Sequence, residues 1–242
     1  MTGNHSAVLA PPARPFAARR ALLAPRPTPA DLPYRGDVAD SPVFVRPATS
    51  ADVTVLAAIL ARAFYDDPPL MWLLPDPATR LDRVTRMFET VIGIESLRYG
   101  GVDVVCGGGK ILGGAIWLPP GHRRAGFREQ VRAVPNHVRV LAAALFRAAR
   151  YGHALEGAHP KEPHWYLKAV GIDPAWQGLG LASPLLRSRL NRCDRDGQPA
   201  YLEAGKPGGV PMYEHFGFRR IGNLGMPEGA PPMTAMWRTP AA

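Results

Sequence analysis

Apolar residues from 53 to 64 recur at helical spacing, with Val53, Leu56, Ala57, Leu60 and Phe64 on one face. Thr49 or Ser50 offers an N-cap ahead of them, and Val43–Arg46 before that reads as a short strand. The prolines of "YDDPPLMWLLPD" break the helix, and Asp76 with Pro77 restarts one that reaches about Leu97 through Leu81, Val84, Met87, Phe88, Val91 and Ile92. "GVDVVCGGGKILGGAIWLPPG" predicts two strands around a glycine turn at 107–109, and 127–150 is helical with an interruption near Pro135. "HPKEP" is a loop and "HWYLKAVGI" a strand. Residues 181–196 form a helix, "PAYLEAG" a strand, "GVPMYEHFG" a short helix, and "FRRIGNL" with "PMTAMWR" a closing strand pair. No internal repeat appears, and the order predicts an α/β or α+β layer with a mixed sheet.

Composition narrows the class. The 242 residues are 46% hydrophobic, ordinary for a globular chain, and no apolar run approaches the roughly 18–20 residues of a membrane span. We therefore expect no membrane partner. The formal charge is +9, with lysine only at positions 110, 161, 168 and 206, so arginine carries the excess. Arginines this diffuse read as a solvated surface rather than a nucleic-acid site, although the field still favours a polyanionic ligand. Cys106 and Cys193 have neither disulfide nor metal spacing, which fits a reduced, cytoplasmic compartment. Residues 1–42 hold eight prolines and scattered arginines without a signal-peptide core, and are expected to be a disordered arm ahead of a single domain over 43–242.

The chemistry concentrates in "VGIDPAWQGLGLASPLLRSRL", residues 170–190. A strand leads through a turn into a helix. The unpaired N–H groups and dipole of a helix start favour an anion, and glycines at 178 and 180 let a phosphate approach the backbone. A plain strand-to-helix connection is the simplest alternative. A dinucleotide fingerprint is another, but it needs a third glycine where Ser183 stands, and "DPAWQ" separates the strand from the glycines.

Gln177-x-x-Gly180-x-Ala182, preceded by Ile172-Asp173-Pro174, resembles the acetyl-CoA motif of the GNAT acetyltransferases, Q/R-x-x-G-x-G/A. "EAGKPGGVPMYEHFGF" resembles that family's downstream signature, and "RPATSADVTVLAAILARAFYDDP" its first strand and helix. "HPKEPHWYLKAVGIDPAWQGLGLA" and "MPEGAPPMTAMWR" narrow the likeness to the puromycin-acetylating branch and its actinomycete-type relatives. The likeness spans roughly 43–240 and is dense from 159 onward. It implies a GNAT fold: a mixed, mostly antiparallel central sheet flanked by helices, with strands splayed at the acetyl-CoA site. It implies acetyl-CoA as co-substrate, no metal, a small-molecule primary amine as acceptor, and a monomer or homodimer.

Carried over residue by residue, the likeness puts a strand bulge at Ala169 to Ile172, with the cofactor on Val170, Gly171 and Ile172, and on Gln177, Gly178, Leu179, Gly180, Leu181 and Ala182. Tyr213 becomes the acid for the leaving sulfur. The family's asparagine four residues earlier is Gly209 here, which removes a cofactor contact; Lys206 stands nearby. Glu203, at a strand end, is the candidate base, with a carboxylate paired to an arginine as its structural alternative. Tyr65, Asp66, Asp67 and Trp72 are candidate acceptor contacts, or else loop and core residues. The seven histidines form no constellation, and His164 reads as packed or exposed. Acceptors of another class, namely a protein N-terminus, lysine or polyamine, remain open, as does a non-catalytic acyl-CoA sensor.

Overall fold

The computed structural model describes residues 42–122, 127–141 and 144–241. The arm expected over 1–42 therefore lies outside the described residues, Pro42 excepted. Seven strands form one sheet in the order β1-β2-β3-β4-β5-β7-β6. They are β1 (Phe44–Pro47), β2 (Val102–Gly107), β3 (Lys110–Leu118), β4 (Trp165–Ile172), β5 (Ala200–Ala204), β6 (Arg219–Asn223) and β7 (Thr234–Arg238). Neighbours are antiparallel except for β4 and β5, which run parallel. This is the mixed sheet that the element order predicted, mostly antiparallel as the family likeness implied.

Both faces of the central strands are covered, which explains why β2 and β3 read as continuous apolar runs rather than alternating ones. On one face Val104, Ile116 and Ala169 pack against Leu56, Leu60, Val84 and Phe88, from helices α1 (Val53–Ala63) and α3 (Pro77–Thr90). We denote the short helix between them α2 (Pro68–Leu73). On the other face Val105, Trp117 and Leu202 meet Leu185, Leu186 and Leu190 of a later helix, Ala182–Arg195. Arg189 of that helix is 1% exposed and reaches Asp103 of β2 at 2.8 Å, with its guanidinium 4.5 Å from the Trp165 ring.

Three local expectations change. The proline-broken segment contains α2, because Pro68 and Pro69 fall in a first turn, where a missing N–H costs nothing. The helix α4 (Phe127–Leu141) continues past Pro135, which is exposed. It is followed by α5 (Leu145–Ala158), which runs eight residues beyond the expected end at 150. The Ala182–Arg195 helix is then α6, and α7 is Val210–His215.

Candidate active site

Strands β4 and β5 pair only over Trp165–Leu167 and Ala200–Leu202. Beyond that point β4 continues to Ile172 along β3, while β5 continues to Ala204 along β7. The two therefore part, and the β5-facing edge of Lys168–Ile172 has no strand partner. The parting opens a cavity of ≈ 380 Å³. A register shift between Ile116 and Trp117 leaves Lys168 as an extra residue on β4, a β-bulge. The bulge thus lies one residue before the stretch 169–172 where it was expected. It turns the Lys168 side chain to Glu95, with Nζ 2.8 Å from Oε2. Burial pushes the Glu95 carboxyl up, but the His137 and Lys168 contacts win and hold it at about 2.

The glycine turn closes the far end of this cavity. Asp173 caps the turn by accepting from Ala175 N–H and is ion-paired with Arg62 of α1. The Gln177 side chain donates to the Ile172 carbonyl at 3.0 Å, pinning the loop to the end of β4. Gly178 and Gly180 hold φ of 82° and 72°, and a Cβ added to either meets nothing within 4 Å. Only glycine adopts this backbone without strain, and the space in front of it is open, as a phosphate cradle requires.

The expected residues converge here. Val170, Gly171, Ile172, Gln177, Gly178, Gly180, Leu181, Ala182, Glu203 and Tyr213 all line the cavity. Leu179 does not line it; its side chain is 48% exposed at the loop tip. Gly209 also lines the cavity, and a Cβ there would sit 3.8 Å from the Tyr213 ring. Tyr213 packs edge-on against Phe218 at 6.2 Å. Burial, then the nearby Asp67 charge, pushes its phenol up to about 12, so it stays protonated across the neutral range. Asp67 lines the same cavity and is itself raised by burial, against the pull of Lys206.

Glu203 is 3% exposed at its side chain and accepts from the Tyr166 hydroxyl at 2.6 Å. No arginine pairs with it among the described residues; His159 Nδ1 stands 3.4 Å from its Oε1 instead. Burial, then the Glu203 charge, drives the Tyr166 phenol well above its ordinary value. Glu203 and Lys168 also line a second cavity of ≈ 720 Å³, bordered by α5 through Ala148, Gly152, Glu156 and others.

The acceptor contacts expected at Tyr65, Asp66 and Trp72 line neither cavity. The Tyr65 hydroxyl donates to the Pro77 carbonyl, and Trp72 packs on Tyr151 at 6.1 Å. Of that segment Asp67 faces the cavity. Lys168 and His159 escaped sequence reasoning, because a bulge and a loop return leave no periodic signal. The only hint was the density of aromatic and imidazole residues in "HPKEPHWY".

Residues 126–236 match the model of the acetyltransferase (GNAT) domain. A Schizosaccharomyces pombe protein described as an uncharacterized N-acetyltransferase is 28% identical over 178 residues, 69% of this chain and 70% of its own length. A Corynebacterium glutamicum structure described as histone acetyltransferase HPA2 and related acetyltransferase has 29% identity and a TM-score of 0.66, covering 83% of this chain and 97% of that one. The Drosophila melanogaster polyamine N-acetyltransferase, at 14% identity and a TM-score of 0.57 over 82% of this chain and all of its own, shares the fold.

Proposed function

We infer that this chain, an acetyl-CoA-dependent acyltransferase carrying a GNAT domain, acetylates a primary amine of a small molecule. The observation that carries the reading is Glu203, a buried carboxylate bordering two cavities at once. The first cavity suits a thioester carrier: a glycine cradle for its diphosphate, an unpaired strand edge for its amide arm, and Tyr213 on its lining. The second, at ≈ 720 Å³, has the volume small ligands fill. An amine entering there meets the carboxylate before it reaches the thioester.

When bound, acetyl-CoA supplies an activated acetyl group. The chain's residues do the rest. The backbone of Val170 and Ile172 offers polar groups on the open edge of β4, and donors so placed contribute about 3–4 kcal/mol to stabilising charge on a carbonyl oxygen. Glu203 takes the proton of the incoming ammonium, so that nitrogen keeps its electron pair for the new N–C bond. The C–S bond breaks, and Tyr213 donates to the departing sulfur. Holding the two substrates in line is the larger contribution, about 7–11 kcal/mol, whereas each proton transfer gives about 10²–10⁴-fold.

Aminonucleoside and aminoglycoside-like antibiotics are the first acceptors to try, on the strength of the sequence likeness from 159 onward. A thiol-release assay with acetyl-CoA and a panel of puromycin, tryptamine, agmatine, spermidine and a lysine peptide tests the reading. We expect CoA release that depends on a small amine and falls at least about 100-fold in Glu203→Gln. Release with the peptide alone would move the acceptor to protein. Tight acetyl-CoA binding with no release across the panel would make the fold a sensor.

A further inference from the structure

A chain of hydrogen-bonding groups leads away from Glu203 on its far side. His164 Nδ1 lies 2.6 Å from the Glu162 carbonyl oxygen, and His164 Nε2 lies 2.9 Å from His159 Nε2. A carbonyl only accepts, so His164 Nδ1 carries a proton. His164 is 3% exposed, and burial disfavours its cation. A neutral imidazole carries one N–H, so His164 Nε2 is a bare lone pair and His159 Nε2 must donate to it. Neutral His159 then presents the lone pair of Nδ1 to Glu203 Oε1 across 3.4 Å. Oε1 is buried and accepts no hydrogen bond of ordinary geometry, although the buried Tyr201 hydroxyl stands close enough to interact with the same carboxylate. Two acceptors face each other with room for one proton between them.

We propose that Glu203 and His159 form a one-proton acceptor pair, in which His159 is a positioning residue that takes over the proton Glu203 receives from the amine. This rests on Glu203 being the base. The ammonium N–H bond breaks and its electron pair stays on nitrogen. The proton passes through the carboxylate to His159 Nδ1. The imidazolium is then held by the restored carboxylate on one side and by the His164 lone pair on the other. His159 also lines the second cavity, which gives the proton an exit.

The arrangement is fixed from several sides. Tyr166 and Lys168 of β4, Tyr201 of β5, and Tyr151, His153 and Glu156 of α5 are the titratable groups around the pair. Of these the Tyr166 hydroxyl is committed to Glu203 Oε2. The His159 ring is braced edge-on by Tyr166 and Tyr201, at 4.9 and 4.8 Å.

Imidazole ¹⁵N NMR of the full wild-type chain tests this without a substrate. We expect neutral His159 to be the Nε2–H tautomer, as the contacts of both ring nitrogens require. A neutral Nδ1–H tautomer would overturn the pair. Kinetics with the most active panel amine give a second reading. His159→Asn should lower kcat about tenfold, leave the acetyl-CoA KM unchanged, and move the acidic limb of the kcat/KM profile to lower pH. A folded His159→Asn with an unmoved limb, alongside an impaired Glu203→Gln, would overturn the role of His159 and leave Glu203 as base. A fully active Glu203→Gln would overturn both.

Discussion

Substituting Gly171 by alanine should damage the fold and the cofactor site together. A Cβ there would lie 2.9 Å from Leu60 Cδ2, 3.0 Å from Ala63 Cβ and 3.2 Å from Phe64 Cε2. The Leu60 methyl has rotamer freedom, but Ala63 Cβ is fixed to the α1 backbone. Relief therefore requires α1 to back away from β4 by a few tenths of an ångström. Overpacking of this kind costs about 1–3 kcal/mol. In a chain of this length each kcal/mol lowers Tm by about 2–4 °C, so a fall of about 2–12 °C is expected. Ala63 and Phe64 also line the cavity proposed for the cofactor, so the same displacement widens it. Differential scanning calorimetry and acetyl-CoA titration should both respond, with weaker binding accompanying the lower Tm. A variant with unchanged Tm and unchanged affinity would refute the close packing of α1 on the open part of β4.

Tyr213→Phe keeps the ring against Phe218 and removes only the hydroxyl, so kcat should fall about 10²-fold with little change in Tm, and full turnover would remove Tyr213 from the mechanism. With the phenol held at about 12, Tyr213 should cause no alkaline decline of kcat/KM below pH 10.5; a decline present in wild type and absent in Tyr213→Phe would contradict this. Glu95 is depressed from 4.5 to about 2, so its contribution is complete above pH 4.5 and is lost as pH falls towards 2. At 1.36 kcal/mol per unit that contribution is at most about 3 kcal/mol, and urea unfolding of Glu95→Gln should show a shallower acid decline than wild type. Asp103→Ala strands Arg189, which is 1% exposed, and should cost about 3–5 kcal/mol in denaturant unfolding; a loss under 1 kcal/mol would mean the guanidinium finds water.

Strands β2, β3, β4, β5 and β7 and the helices α1 and α6 were legible because each buries one face or both, and burial writes a pattern into the sequence; β6 is exposed throughout and is read from its pairing with β7. The glycine turn was legible because its backbone favours glycine, as the φ of Gly178 and Gly180 explains. The rest depended on tertiary placement. The single extra residue that makes Lys168 a bulge has no local signature. Asp66 and Asp67 are equivalent in sequence, yet Asp67 turns into the cavity because it starts α2. His159 and His164 meet because the loop after α5 folds back on itself before β4, a return that no periodicity encodes.

The central claim is that the cleft where β4 and β5 part, closed by the turn at 177–182, holds acetyl-CoA. A crystal structure of the full chain with CoA tests it most directly. The account predicts the diphosphate on the backbone N–H groups around Gly178 and Gly180, the pantetheine arm along Lys168–Ile172, and the sulfur beside Tyr213. CoA bound elsewhere, with that turn vacant, would contradict it.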